Sequence, residues 1–402
     1  MSRGRITVVG LDGRPLDEEI ARLLADAALV AGGGRHLEML GVESDRALVL
    51  EGDLSEALAR IEATGGPVVV LASGDPGFFG IVRLLAGRFG RENLRIWPGL
   101  SSVALAFARA GLSWDDAVTV SAHGRDPRRA VNVCRAHPKA AVLTSPDFGP
   151  AELAEALDGL GRSFVVAEKI GGPNERIFNG DAGTVAGMVW EDPNVVLVLD
   201  EERIPGARGW ISSSLQSPLR WALPEGEFEH RSGMITKSAT RAFVLSRLGP
   251  GPGDLIWDIG AGSGSVAIEC ARLGAAAIAV ESDPESCARI RRNAEHHGVR
   301  LQIMEATAPQ VLRDLSEPDA VFVGGSGGAF EEIVKLSAVR ARRAVVLALV
   351  TLERVVPAAQ LLEDCGLEAE TTFLQASGMK GVGNLHRLAA ESAIFVVSGS
   401  RP

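Results

Sequence analysis

A chain of 402 residues exceeds what a single hydrophobic core comfortably serves, so two domains are expected. With 46% hydrophobic and 23% charged residues the composition is that of an ordinary globular protein, and a net charge of −10 argues against generic nucleic-acid binding. No apolar run reaches membrane-spanning length, "MSRGRITVVG" lacks signal-peptide architecture, and Cys134, Cys270, Cys287 and Cys365 are dispersed without metal-ligand spacing, which together point to reduced thiols in a cytoplasmic protein.

The first half alternates short apolar runs with helical patterns. "RITVVG" predicts a strand, and Leu16, Ile20, Leu23, Leu24 and Ala27 put one apolar stripe on the helix that follows. "PVVVLASGDPG", "NLRIWPGLSS", "KAAVLTSPD" and "SFVVAEKIGG" repeat the plan of a β-branched strand ending in a turn. This is an α/β domain whose ligand loops are expected at the carboxyl ends of its strands. Around 200–228 the periodicity stops in a cluster of Pro, Gly and Ser. The expected division is therefore a domain over 1–203, a linker over 204–221 and a second domain over 222–402. The alternation then restarts with a strand at 254–259, a helix at 264–273, a strand at 276–281 and a helix at 285–296. Asp283 is the expected N-cap of that last helix and Pro284 its first residue. "RLQIME", "PDAVFVGG", "RAVVLALV", "EAETTFLQAS" and "SAIFVVSG" predict the later strands.

"LIWDIGAGSGSVAIE", residues 255–269, is a strand breaking into a glycine turn. A dinucleotide fingerprint needs G-x-G-x-x-G; Gly260 and Gly262 fit, but the third position is Ser265. The spacing here is Asp258-x-Gly260-x-Gly262-x-Gly264, and Glu281 ends the next strand. A carboxylate at Glu281 can accept from a ribose diol, and one at Asp258 can face an ammonium, which a dinucleotide does not carry. This pattern resembles motif I of the Rossmann-like S-adenosyl-L-methionine (SAM) methyltransferases. Further on, "VFVGGSGGAF" sets Gly324, Gly325, Gly327 and Gly328 around Ser326 at a strand's carboxyl end. Backbone without side chains can there approach a broad, flat ligand. Taken with "SGMITKSATRA", "AVESDP" and "ATAPQVL", the second half resembles the decarboxylating precorrin methyltransferase domain of corrin biosynthesis. The resemblance implies that SAM lies on Thr236, on Gly260, Ala261, Gly262, Ser263 and Gly264, and on Glu281 and Ala308, and that the 324–328 loop faces substrate. Thr307 stands where the family commonly has an aspartate.

The first half carries its own ordered series of turns: "VVGLDG", "LASGDPGFFG", "WPGLSSVALAFARAG" and "VSAHGRD". None has phosphate-loop spacing. The series resembles the tetrapyrrole methylase family, of the precorrin C5-methyltransferase type, in which a class III SAM methyltransferase fold of two α/β lobes holds the cofactor in a cleft. By that resemblance Gly10, Gly74, Asp75, Ser101, Ser102 and Thr144 lie at the cofactor. His123 and Arg125, beside the basic stretch "GRDPRR", are candidates for facing the substrate, and Arg241 is the corresponding candidate in the second half.

The two likenesses imply an α/β chain in which a two-lobed tetrapyrrole methylase domain precedes a Rossmann-like class I SAM methyltransferase domain. They further imply a bifunctional enzyme of aerobic cobalamin biosynthesis that methylates precorrin-6B at C5 and C15. It would also decarboxylate the ring C acetate arm, giving precorrin-8X. SAM is then the cofactor, with no metal, flavin or pyridoxal group, because the sulfonium methyl is already activated and the protonated macrocycle can act as electron sink. The expected partner is a small carboxylated tetrapyrrole, with no nucleic acid or membrane, and identical chains are expected to assemble. No general acid or base stands out among the residues. Three other readings stay open at this point: a SAM-binding regulatory protein without turnover, a SAM methyltransferase of another substrate, and a nicotinamide-dependent dehydrogenase built on 255–281.

Overall fold

The computed structural model describes residues 6–203, 220–231 and 235–401. Residues 204–219 of the expected linker, and 232–234 of "SGMITKSATRA", lie outside the described residues. The backbone groups into two compact units: one runs to Arg125 and resumes over Ala141–Leu199, and the other takes Asp126–Ala140 with the described chain from Asp200 onward.

The first unit holds two sheets. Strands β1 (Ile6–Leu11), β2 (Leu29–Gly32), β3 (Ala47–Val49), β4 (Val68–Ser73) and β5 (Leu94–Trp97) form an all-parallel sheet in the order β3-β2-β4-β1-β5. Alternate residues of β1 and β4 go to opposite faces. Ile6, Val8, Val68 and Val70 enter one apolar cluster, and Val9, Leu11, Val69 and Leu71 enter another. Burial on both faces is why these strands read as continuous Val/Ile/Leu runs rather than as alternating patterns. Strands β6 (Val118–Ser121), β7 (Lys139–Leu143), β8 (Ser163–Glu168), β9 (Arg176–Asp181) and β10 (Asn194–Leu199) form the second sheet, β6-β7-β10-β8-β9, with β8 antiparallel to both neighbours.

The second unit is built on seven strands: β11 (Leu255–Ile259), β12 (Ala276–Glu281), β13 (Gln302–Glu305), β14 (Ala320–Val323), β15 (Ala344–Leu349), β16 (Glu368–Leu374) and, after the separate hairpin β17 (Ser377–Val382) and β18 (Leu385–Ala390), β19 (Ile394–Ser400). The order is β13-β12-β11-β14-β15-β19-β16, parallel from β13 to β15 and antiparallel at β19 and β16. Leu255, Trp257 and Ile259 pack on one face with Ile278 and Val321, while Ile256 packs on the other with Phe322 and Val346. The helices that follow β11 and β12 are Ser265–Arg272 and Pro284–His296, the second capped by Asp283 with Pro284 at its first position. Just after the expected linker, Leu223 and Phe228 are buried with Ile268, so that stretch is already part of the second unit's core. Among the described residues no helix is long and apolar enough to cross a membrane. Cys134, Cys270 and Cys287 are buried and Cys365 half-buried, and none of the four is in a disulfide.

Candidate functional site

In the first unit the carboxyl ends of β2, β4 and β1 stand side by side, and the loops leaving them surround a cavity of about 880 Å³. Gly10 on β1, Gly74 after β4 and Gly99 after β5 meet here. A Cβ on Gly10 would stand 2.0 Å from the Gly74 carbonyl oxygen and 2.4 Å from the Gly99 nitrogen. Gly74 adopts φ +59°, a region where only glycine is unstrained, and its amide donates to Leu11 O. Asp75 holds the turn by accepting from the Gly77 amide at 2.8 Å. Ser101 caps the helix Ser102–Ala110 by accepting from the Ala104 amide.

Gly74, Ser102, His123, Arg125 and Thr144 all line the cavity; Gly10, Asp75 and Ser101 form the turns behind it. The Thr144 hydroxyl is already engaged, 2.6 Å from Asn194 Oδ1, in a buried pair. The Arg125 guanidinium lies 5.8 Å from the Phe79 ring centre. Two lining residues not foreseen from sequence are Arg35 and His36, whose side chains converge on Ser73 at the end of β4.

In the second unit the turn after β11 is built from positive-φ glycines: Gly260 at +68°, Gly262 at +58° and Gly264 at +73°. The Gly260 and Ala261 amides donate to Val280 O on β12. Beside Gly262 there is open space, whereas a Cβ on Gly264 would meet Ile290 at 2.8 Å. Glu281, ending β12, accepts at Oε2 from the Gly262 amide and at Oε1 from the Ser282 and Asp283 amides, so its carboxylate is aimed back at the turn. The loop after β14 closes the other side. The Gly324 and Gly325 amides donate to Ile259 O, and Gly325 lies against Gly260. Ser263 is buried, and its carbonyl accepts from Asn293, which also bonds both backbone groups of Glu229. Arg354 fastens the glycine loop by donating to Ser326 Oγ and Gly327 O, while Gly328 has open space beside it. Asn293 and Arg354 carry no sequence signal of this role, since each acts through a contact that only the fold creates.

Asp258 sits at the centre of this arrangement and is 1% exposed. Its Oδ2 accepts from the Ala267 amide, one of the open donors in the first turn of the helix Ser265–Arg272, while Oδ1 is buried without a hydrogen-bond partner among the described residues. Burial pushes its carboxyl up to about 7, partly opposed by the Ala267 hydrogen bond and reinforced by the charge of Glu281. The group is therefore poised to ionise when a cation arrives beside it.

The structure brings together Asp258, Gly260 through Gly264, Glu281, Gly324 and Gly325. Thr236 is seen in a different contact, its carbonyl accepting from Arg241, and Ala308 packs half-buried on the sheet core. Arg241 does not line a cleft. Its side chain is fully buried, paired with the equally buried Glu269, donating to the carbonyls of Thr236 and Leu223 and lying 4.8 Å from the Phe228 ring centre. The expectation that Arg241 meets substrate is thereby corrected: it is a core cation that ties Leu223 and Thr236 to the helix carrying Glu269, with its side chain fully buried.

Residues 8–186 match the family model described as tetrapyrrole (corrin/porphyrin) methylases, and residues 227–400 match the precorrin methyltransferase domain. A Sinorhizobium protein named precorrin-6Y C(5,15)-methyltransferase [decarboxylating] is 42% identical over 339 residues, which are 80% of this chain and 78% of that one. Shorter relatives match one half each. The cobalt-precorrin-7 C(5)-methyltransferase of Salmonella typhimurium is 36% identical over 203 residues, covering 49% of this chain and 99% of its own. The probable cobalt-precorrin-6B C(15)-methyltransferase (decarboxylating) of Pyrobaculum calidifontis is 32% identical over 183 residues, covering 44% and 94%. The chain described here, with a glycine-lined site in each unit, belongs to the decarboxylating precorrin-6Y C(5,15)-methyltransferase family.

Proposed function

We propose that the chain is a bifunctional SAM-dependent C-methyltransferase. It methylates precorrin-6B at C5 and C15 and removes the ring C acetate carboxyl, giving precorrin-8X. One observation carries this reading: a single chain holds two separate glycine-cradled sites, and each half covers nearly the whole of a shorter relative named for one part of the reaction. The first unit would add the C5 methyl; the second would add the C15 methyl and release carbon dioxide.

The residues present fit the donor. Gly10 and Gly260 pack so closely on neighbouring backbone that no Cβ fits there, a Cβ on Gly262 would stand in open space, and the buried Asp258 Oδ1 has no hydrogen-bond partner among the described residues. In the second unit Gly260 through Gly264 and Glu281 would hold the donor, with Asp258 balancing its positive charge. In the first, Gly74, Ser102 and Thr144 would do so, with Gly10, Asp75 and Ser101 shaping the wall behind. When bound, SAM supplies a methyl group activated by its sulfonium. The protein's own task is alignment and exclusion of water, and holding two reactants in line can contribute about 7–11 kcal/mol. The 324–328 loop, pinned by Arg354, offers a flat backbone surface to a planar macrocycle, and His123 and Arg125 offer polar groups at the first cavity. The partner is thus a small carboxylated tetrapyrrole rather than a nucleic acid or a membrane. The same reading sets the chain in the cytoplasm and expects copies of it to assemble.

The test is turnover by the full chain with a methyl-labelled donor and the reduced macrocycle. Two labelled methyls and one carbon dioxide per product are expected. Donor binding without any transfer would instead support a regulatory protein.

A further inference from the structure

Charge around the first unit's cavity is unevenly matched. Asp12, on the wall, is occupied by the Arg14 side chain and the Leu100 amide, and Lys169 is paired with Glu191. Arg35 differs from both. Its NH2 donates to the neutral Ser73 hydroxyl at 2.6 Å, and no carboxylate stands within ion-pair reach of it among the described residues. A guanidinium has five N–H donors, so most of the Arg35 fork is uncommitted at the cavity wall. Its geometry is nonetheless fixed. Ser73 Oγ, accepting from Arg35, also lies 3.3 Å from His36 Nε2, within hydrogen-bond distance. Burial, and after it the neighbouring Arg35 charge, lowers the affinity of this ring for a proton, so the neutral imidazole is favoured beside the cation. The result is an ordered chain, Arg35 to Ser73 to His36, with a single positive charge at its open end.

Its position follows from the strand order. Arg35 leaves the carboxyl end of β2 and Ser73 ends β4, so the cation stands on the β2 side of the glycine cluster formed at β1, β4 and β5. A ligand cradled at Gly10, Gly74 and Gly99 would have Arg35 on one flank and Arg125 on another.

We propose that Arg35, oriented by Ser73 and His36, binds a side-chain carboxylate of the tetrapyrrole in the first unit and so determines specificity and register for methylation there. The fork geometry suits bidentate recognition of a planar carboxylate, which a lysine would not reproduce. The inference rests on the proposed methyltransferase function and adds to it the residue that reads the substrate's acidic arms.

The experiment uses the full chain. Arg35→Gln should raise KM for the tetrapyrrole in C5 methylation by at least about tenfold, as expected for loss of a charge-assisted pair, while calorimetric affinity for SAM changes by less than about twofold. Arg35→Lys should recover part of the loss, and Ser73→Ala, which frees the guanidinium without removing it, should fall between. A substrate with its carboxylates converted to amides should bind the unaltered protein poorly and should not distinguish it from Arg35→Gln. Circular dichroism of each variant separates these effects from misfolding. Normal C5 turnover by the unaltered chain with an indifferent Arg35→Gln would overturn this inference alone. Absence of any turnover by the unaltered chain would overturn the methyltransferase reading and this inference with it.

Discussion

Gly260 and Gly325 meet backbone to backbone, so that a Cβ on Gly260 would stand 2.5 Å from the Gly325 carbonyl oxygen and 2.7 Å from its Cα and nitrogen. Gly260 also holds φ +68°. Gly260→Ala therefore adds both left-handed strain, about 1–2 kcal/mol, and an overpacking cost of about 1–3 kcal/mol, and it pushes the turn away from the 324–328 loop. The expected product carries one new methyl instead of two and has kept its acetate carboxyl. Carbon dioxide release at the normal rate would show that this turn does not serve the second site.

Arg241 and Glu269 form a fully buried pair, and removing one partner leaves the other charge stranded. Arg241→Met should lower the stability of the second unit by about 3–5 kcal/mol, read as an earlier denaturant midpoint. KM of the surviving folded enzyme should be unchanged. A raised KM at normal stability would return Arg241 to the substrate site.

The Asp258 carboxyl is raised by burial from its ordinary 3.8 to about 7. Between those values the folded protein binds a proton that the unfolded chain has released, so stability falls as pH rises from about 4 through 7. The loss corresponds to at most about 4 kcal/mol. Asp258→Asn, whose amide oxygen can still accept from Ala267, should remove this slope. Without donor, it should be more stable than the unaltered chain at pH 8 and nearly equal to it at pH 4, measured by urea unfolding at both values. Parallel pH profiles for the two proteins would mean that Asp258 ionises freely in the fold.

Phe79 adopts φ +54°, a conformation a bulky residue enters only under constraint, and it lines both the large cavity and a neighbouring one of about 620 Å³ that share Gly80 and Arg125. Phe79→Gly should leave stability unchanged or raise it by up to about 1 kcal/mol while raising KM for the macrocycle. A loss of stability with normal KM would mark the ring as a packing residue.

Much of this was readable before the fold was known, for a physical reason. β1, β4, β11 and β12 are covered on both faces and so are near-continuous apolar runs, and the turns that follow them need glycine wherever φ is positive. β17 and β18 left no such trace because the hairpin is exposed on both sides, with Met379, Leu385 and Leu388 all in solvent. Arg35 escaped notice because its partner Ser73 lies 38 positions away and is reached only because β2 and β4 pair. Arg241 reads from sequence as a cation for a carboxylated substrate, and only its burial against Phe228 and Glu269 reveals a core residue. For Asp258 and Glu281, type and spacing were enough to set both acids beside the glycine turn, where they accept from the Ala267 and Gly262 amides.

The most direct test is the number of donor molecules the full chain binds. Isothermal titration with SAM should give a stoichiometry of two per chain, falling to one in Gly260→Ala and to one in Gly10→Ala. A stoichiometry of one in the unaltered chain, abolished by either substitution alone, would contradict the account of two independent sites.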